Sequence, residues 1–364
     1  MDKSLISLGL MSGTSMDGVD ASIIKSDGDQ KIDILCNKFK EYPNKFREKL
    51  NSYIKRIKDL EDISNNIDEY REIERELTLI HSEIANKILK IYKIKLDLVG
   101  FHGQTILHRP EKKYSIQMGD PNLLSQKIKS KVVFNFRKKD LDEGGEGAPL
   151  TPVFHQSIYK KIKLAKPVVF LNIGGVSNFT YCNRDELMAK DIGPGNVLID
   201  EYLKKTKNLN FDKDGIIASK GKIEKNLINQ FLEHENYTIS KHSYDRGEFD
   251  FNFVKGLKFE DAVATLTYFT AQIIADFINI NFKENIEIIL CGGGRKNKTL
   301  IKFMEKKINS KIKMIDDFGF DGDFTESQAF AYLAIRSFYN KKISFPSTTK
   351  VKAPATGGEI FENF

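Results

Sequence analysis

The run GLMSGTSMDGVD, residues 9–20, constrains the fold more than any other stretch of the chain. An apolar strand, Leu5 to Leu10, passes through a turn of small, hydroxylated and acidic residues into a second strand, Val19 to Ile24. A turn of this composition can hold a phosphate chain. Gly9, Gly13 and Gly18 remove side chains that would keep a ligand from the backbone, while Thr14 and Ser15 offer hydroxyls beside converging main-chain N–H groups. Asp17 and Asp20 supply carboxylates where a phosphate-bound magnesium ion could use them, directly or through water. An isolated turn of this kind also suits an ordinary glycine-rich hairpin, so its meaning depends on the rest of the chain.

At 364 residues the chain exceeds what one ordinary core needs, which predicts two domains or one large bilobal α/β unit. Cys36, Cys182 and Cys291 lack metal-ligand spacing, and an odd, sparse set argues against a disulfide framework. No apolar run reads as a membrane span, and Met1-Asp2-Lys3 leads straight into a core strand, so a cytoplasmic protein is expected. The net charge of +7 is modest and its lysines are spread along helices, which argues against nucleic acid. An anionic small molecule suits this charge without being identified by it.

Apolar residues recur at three- and four-residue steps in 42–60 and 63–92, predicting helices, and short buried strands follow at 96–101 and 131–136. The charged, glycine-rich stretch RKKDLDEGGEGAP, residues 137–149, reads as a hinge or substrate loop and as the domain boundary. This divides the chain into an N-terminal lobe, 1–136, rejoined by 341–364, and a C-terminal lobe, 137–340. The second lobe begins a new cycle: helix 150–161, strand 167–173, a glycine turn, strand 178–182, then helices. Strand 286–290 runs into Cys291-Gly-Gly-Gly294, a final long helix lies near 326–340, and 346–358 is expected to cross the surface toward the first lobe.

Two cycles of strand, glycine turn, strand and helix suggest an architectural repeat without a sequence repeat. The turns at Gly13–Gly18 and at NIGGVSN, residues 172–178, could face one cleft. With a late glycine-rich strand end for the adenosine, this describes a two-lobed α/β ATPase fold of the actin-like and sugar-kinase kind, a duplicated RNase H-like unit with a central cleft. No Walker A sequence is present, and no GxGxxG opens a helix after the first strand.

The motifs GLMSGTSMDGVD, GFHGQTILHRP, QMGDP, FRKKD with GGEGAP, NIGGVSN, DIGPGN, and CGGGRKN followed by ESQAFAYLA resemble, in this order, the anhydro-N-acetylmuramic acid kinases of bacterial cell-wall recycling. The resemblance runs from Ser7 to Ala334. It implies an enzyme that hydrolyses the 1,6-anhydro bridge of its sugar and phosphorylates the 6-oxygen from ATP with Mg2+, giving N-acetylmuramic acid 6-phosphate. It further implies ATP contacts from Gly13, Thr14, Ser15, Met16, Asp17, Gly18, Val19 and Asp20, from Gly174 and Gly175, and from Gly292, Gly293 and Gly294. A homodimer is also implied, with the amphipathic segment 259–282 as one candidate interface and core packing as its other reading.

Opening a bicyclic acetal requires water at the anomeric carbon and a carboxylate to take its proton. Asp191, in DIGPGN, is the candidate base, with Gly193 and Gly195 admitting the sugar and Pro194 stiffening the turn. The competing reading makes Asp191 a cap for a helix starting near Asn196. A lactyl carboxylate suits an arginine fork, for which Arg137 is the first candidate, with Asp140 orienting it or its loop. His102, Gln104, Gly193, Asn196 and Glu326 complete the expected sugar side, and no metal is expected beyond the magnesium carried by ATP. Two positions depart from the family pattern: Glu146 stands where glutamine is usual and His242 where lysine is usual. A kinase for another anhydrosugar and a nucleotide-switched assembly protein are the alternatives.

Overall fold

The computed structural model describes residues 4–13, 15–234, 250–282 and 286–364. Thr14 and the segment carrying His242, Ser243, Arg246 and Phe249 lie outside the described residues. The chain forms two compact units, Met1–Lys163 with Phe324–Phe364, and Leu164–Asp323. The break expected at 137 therefore falls inside the first unit, and the chain rejoins that unit at 324 rather than 341. Polarity misplaced the boundary: residues 137–149 are charged, yet Asp140 and Leu141 within them are buried.

In chain order the strands are β1 (Leu5–Ser12), β2 (Gly18–Ser26), β3 (Ile32–Glu41), β4 (Leu98–Arg109), β5 (Tyr114–Met118), β6 (Lys131–Phe134), β7 (Val168–Ile173), β8 (Val176–Asn183), β9 (Glu186–Pro194), β10 (Glu287–Cys291), β11 (Lys311–Met314) and β12 (Glu359–Phe361). The first unit's sheet has the order β12-β6-β4-β1-β2-β3, with β5 paired to β4. β1, β2 and β3 form an antiparallel meander, while β4 runs parallel to β1 and β6 parallel to β4.

β1 is buried on both faces, which explains its nearly continuous apolar run. Leu8 and Leu10 share a core with Phe46, Leu50 and Tyr53 of the helix Asn44–Arg56 and with Ile73, Leu77 and Ile84 of the helix Ile67–Tyr92. Alternate residues point the other way along a strand. There, the helix Thr325–Phe338 lies so close that a Cβ on Gly9 would sit 1.8 Å from the Ser327 carbonyl oxygen, and one on Gly100 would sit 2.1 Å from that of Phe330.

The second unit's sheet has the order β11-β10-β7-β8-β9. β7, β8 and β9 are an antiparallel meander, and β10 and β11 run parallel to β7. With the β5 hairpin arm and the edge strand β12 set aside, the strands of each unit, numbered in chain order, follow the arrangement third, second, first, fourth, fifth, which is the repeat suggested by the two glycine turns. β3 and β9, the outer meander strands, were not anticipated: β3 buries only Ile32 and Cys36 and turns Asp33, Lys38 and Glu41 outward with Leu35 and Phe39.

The helix Phe259–Asn281 is long and apolar enough to cross a membrane by length and composition, contrary to the expectation that no segment would be. Val263, Leu266, Phe269, Ile273, Ile274 and Phe277 from it fill the second unit's core. Its apolar face is thus used inside the unit, and the homodimer face suggested for 259–282 is not available there. The segment 346–358 runs along the surface of the first unit, with Pro346, Ser347, Lys350 and Lys352 exposed, but anchors itself through the buried Thr349, Val351 and Ala355.

The contact at Gly9 makes a direct prediction. Gly9→Ala must push the Thr325–Phe338 helix off the sheet and should cost about 1–3 kcal/mol or more in urea unfolding. Gly293→Ala, with nothing within 4 Å of the added Cβ, should stay within about 0.5 kcal/mol of the parent.

Candidate active site

The first hairpin turn is fixed from below by Tyr42 and Ser12, which the sequence reading did not single out, and by Gln104, which it placed on the sugar side. The buried Tyr42 hydroxyl donates to Ser12 Oγ at 2.7 Å, and Ser12 Oγ donates to Gln104 Oε1 at 2.6 Å. Gln104 Nε2 in turn donates to the Gly13 carbonyl at 3.2 Å, where the Met16 N–H also arrives at 3.1 Å. Tyr42 grips the turn again through its backbone N–H, which donates to the Asp17 carbonyl at 2.9 Å. Ser15 and Asp17 are exposed, and the Ser15 hydroxyl donates to Asp17 Oδ1 at 2.6 Å.

The glycines of the turn divide by role. A Cβ on Gly18 would meet the Lys40 carbonyl oxygen at 2.2 Å, so Gly18 admits β3, as Gly9 admits a helix. Gly13 alone of the three is open, its nearest neighbour being Ser15 Oγ at 3.8 Å. Val19 is buried and Asp20 partly buried on β2.

β4 continues past the expected end at Phe101 to Arg109, which puts His102 and Gln104 on a strand and not in a loop. His102 Nδ1 lies 2.8 Å from the Gly103 carbonyl and Nε2 lies 2.9 Å from Arg137 Nη2. An arginine can only donate, so His102 Nε2 accepts and the ring is the neutral Nδ1–H tautomer. Burial, reinforced by the Arg137 charge, holds the imidazole well below its ordinary range and keeps that tautomer in place.

Arg137 Nη1 donates to the Gly147 carbonyl at 2.8 Å, and its Nε has no hydrogen-bond partner among the described residues. Burial pulls the guanidinium down to about 10, against the charges of Glu326 and Asp140. Glu326, in the first turn of Thr325–Phe338, is open to solvent but deep enough among protein atoms that lost hydration raises its carboxyl, with Arg137 opposing. Asp140 does not orient Arg137 directly. Its Oδ1 accepts the Gly147 N–H at 2.6 Å and its Oδ2 accepts the Thr349 hydroxyl at 2.6 Å, so it holds the loop that Arg137 touches. The negative charge of Glu146 is met by Lys350 in an ion pair.

In the second unit, the Gly174 and Gly175 carbonyls are knitted to the segment after β9. Gly175 accepts from Gly195 N–H at 2.9 Å and from Val197 N–H at 3.1 Å, while Gly174 accepts from Asn196 N–H at 2.8 Å. The approach leaves no room for a side chain at Gly195, whose Cβ would lie 2.3 Å from the Gly174 carbonyl oxygen. Asp191 is not a helix cap. It lies on β9 opposite Asn178, and the register shifts between Ser177, paired with Gly193, and Asn178. An extra residue in one strand re-aims its neighbours, and this bulge sits beside Asp191. The following helix starts at Val197, with Asn196 making no side-chain cap.

Gly292 and Gly294 pack on the end of β7, where added Cβ atoms would meet Asn172 Oδ1 at 2.3 Å and Ile173 Cγ2 at 2.4 Å, leaving Gly293 open. Behind them, Arg295 bonds Asp316 at 2.8 Å and Asp323 at 2.6 Å and lies 3.6 Å from Asp321. Arg295 holds the Asp316 carboxyl below its ordinary range; Asp323, although partial burial works the other way, is held low by Arg295 and Lys296. Among the described residues, no group of three or more His, Cys, Asp or Glu could hold a metal ion.

A profile of the family described as anhydro-N-acetylmuramic acid kinase matches residues 5–363. An anhydro-N-acetylmuramic acid kinase of Pelagibacter ubique is 45% identical over 375 aligned positions, covering 100% of both chains. That of Zymomonas mobilis is 37% identical, covering 98% of this chain and 99% of the relative. Among solved structures, a ROK family glucokinase from Streptomyces griseus in complex with glucose and AMPPNP aligns over 90% of this chain and 99% of its own, at 12% identity and a TM-score of 0.41.

The Arg295 cluster gives a pH prediction. Carboxyls held below their unfolded value of about 3.9 contribute stability above that pH and lose it as pH falls through the folded value. Arg295→Met should therefore lower the urea midpoint more at pH 7 than at pH 3; an equal loss at both would leave only packing as the cause.

Proposed function

Because the chain belongs to the anhydro-N-acetylmuramic acid kinase family and is an ATP-dependent kinase of peptidoglycan recycling, we propose that Asp191 is its general base and Arg137 its sugar-carboxylate ligand. The observation that carries this reading is the setting of Asp191 on β9, beside a bulge and ahead of a segment bonded to the second hairpin through Gly195, Asn196 and Val197. A base aimed by a strand and a backbone-bonded turn is held more precisely than one on a free loop.

In the reaction, Asp191 takes a proton from the water whose oxygen bonds the anomeric carbon. The bond from that carbon to O6 breaks, O6 bonds the γ-phosphorus of ATP, the bridging P–O bond breaks and ADP leaves. Phosphoryl transfer asks mainly for positioning and charge neutralisation. The turn from Gly13 to Asp20, including Thr14, with Gly174 and Gly175, would hold the phosphates, and the open Gly293 between Gly292 and Gly294 would border the nucleoside. Asp17, exposed and with only Oδ1 engaged among the described residues, by Ser15, fits a magnesium ion that keeps phosphate and water as its other ligands. That ion would neutralise charge on the transferring phosphoryl group.

Arg137 would receive the lactyl carboxylate, its remaining partners His102 and Gly147 fixing the guanidinium plane. Gln104, whose amide bonds Ser12 and Gly13, is read as a positioning residue for the hairpin and not as a direct sugar ligand. Glu326, Gly193 and Asn196 complete the sugar side. A homodimer in the cytoplasm is part of the same reading; light scattering at micromolar concentration tests the dimer.

The decisive experiment is mass spectrometry of the reaction with magnesium-ATP and 1,6-anhydro-N-acetylmuramic acid in oxygen-18 water. The product should gain one labelled oxygen at the anomeric position, and Asp191→Asn should lower kcat by about 10²–10⁴-fold. Label at the phosphate, or a fully active Asn variant, would sink the assignment. Arg137→Gln should raise KM about 10–100-fold for this sugar, the worth of a lost charged hydrogen bond, and much less for the same anhydrosugar without the lactyl ether.

A further inference from the structure

We propose that Thr349, far from the other site residues in sequence, is a positioning residue for the sugar-carboxylate subsite, acting on Arg137 through Asp140 and Gly147. The inference rests on the reading of Arg137 as the carboxylate ligand. Thr349 closes the short helix Pro346–Thr349 and is fully buried. It holds the glycine-rich loop at two points: its hydroxyl donates to Asp140 Oδ2 at 2.6 Å, and its carbonyl accepts the Glu146 N–H at 2.6 Å.

From Asp140 the connection passes by Oδ1 to the Gly147 N–H at 2.6 Å, and from the Gly147 carbonyl to Arg137 Nη1 at 2.8 Å. Each link is short and uses a different atom, so the position of the hydroxyl is transmitted to the guanidinium plane. Gly145 makes the arrangement possible, since a Cβ there would lie 2.2 Å from Asp140 Oδ1. The ion pair of Lys350 with Glu146 closes the same loop against the same segment.

A buried carboxylate that loses a donor seeks another. Without the Thr349 hydroxyl, Asp140 Oδ2 would be drawn toward the N–H groups of its own loop, and Gly147 would move with it. The site would then present Arg137 in the wrong plane to a planar carboxylate, while the phosphate hairpin, held separately by Tyr42, Ser12 and Gln104, would be untouched.

The test compares Thr349→Val, which keeps the shape, with Thr349→Ser, which keeps the hydroxyl, beside Arg137→Gln as reference. KM is measured for ATP, for 1,6-anhydro-N-acetylmuramic acid and for its analogue lacking the lactyl ether. Thr349→Val should raise KM for the carboxylated sugar about tenfold, the scale of one charge-assisted hydrogen bond, and leave KM for ATP within about twofold. Thr349→Ser should restore the parent value. A change shared equally by both sugars and ATP, or no recovery with serine, overturns the proposal. Asp140→Asn reads the same link should the valine variant not fold: a selective rise in KM supports it and an unchanged KM overturns it. If Arg137→Gln itself fails to separate the two sugars, the carboxylate reading falls, and this inference with it.

Discussion

The close approach of the helix Thr325–Phe338 to the first unit's sheet is the contact on which the rest of that unit depends. It is possible only because β1 and β4 each present a glycine, Gly9 and Gly100, to the helix backbone. Polar bonds fix the register of the approach: Ser327 Oγ meets Ser22 Oγ at 2.7 Å, and Gln328 Nε2 donates to Asn37 Oδ1 at 3.2 Å. The same helix brings Phe330 against the rings of His102 and Phe136 and carries Glu326 in its first turn. The end of β1, where the first hairpin turn begins, and the acid near Arg137 are thereby placed by one packing decision.

The two units treat their arginines in opposite ways. Arg295 is surrounded by Asp316, Asp321 and Asp323 and is a fully compensated structural charge. Arg137 instead bonds one neutral imidazole and one carbonyl, feels Glu326 and Asp140 without a hydrogen bond to either, and keeps one donor unpaired among the described residues. An arginine whose protein partners carry little negative charge is one for which an incoming anion completes the balance. The neutrality of His102 matters here, because a protonated ring would lose the lone pair that accepts from Arg137 and would add a second positive charge beside it.

Much of this was legible in the sequence because glycine clusters and strand ends follow local rules. The strand cores, the two hairpins, the long helices and the identity of the family could all be read from short motifs. What glycines are for could not. Gly9, Gly18, Gly292 and Gly294 read as sites of ligand approach, yet each admits another part of the same unit, and only Gly13 and Gly293 in those clusters remain open. Asp191 was singled out by type and setting, but its place on a strand was hidden because β9 mixes polar and apolar residues like a loop. Partners distant in sequence were invisible by nature. Tyr42 under the first hairpin and Thr349 behind Asp140 carry no local signature, and the boundary at 163 was masked by the more conspicuous charge of residues 137–149.

The division of the first unit between 1–163 and 324–364 sets an order of completion during synthesis. The second unit, Leu164–Asp323, has all its strands before the helix that covers Gly9 and Gly100 has been made. At translation rates of about 5–20 residues per second, the bare glycine face of the first sheet waits tens of seconds for that helix and for the edge strand β12. During that interval the two glycines that the finished unit hides under a helix backbone, Gly9 and Gly100, have no such cover.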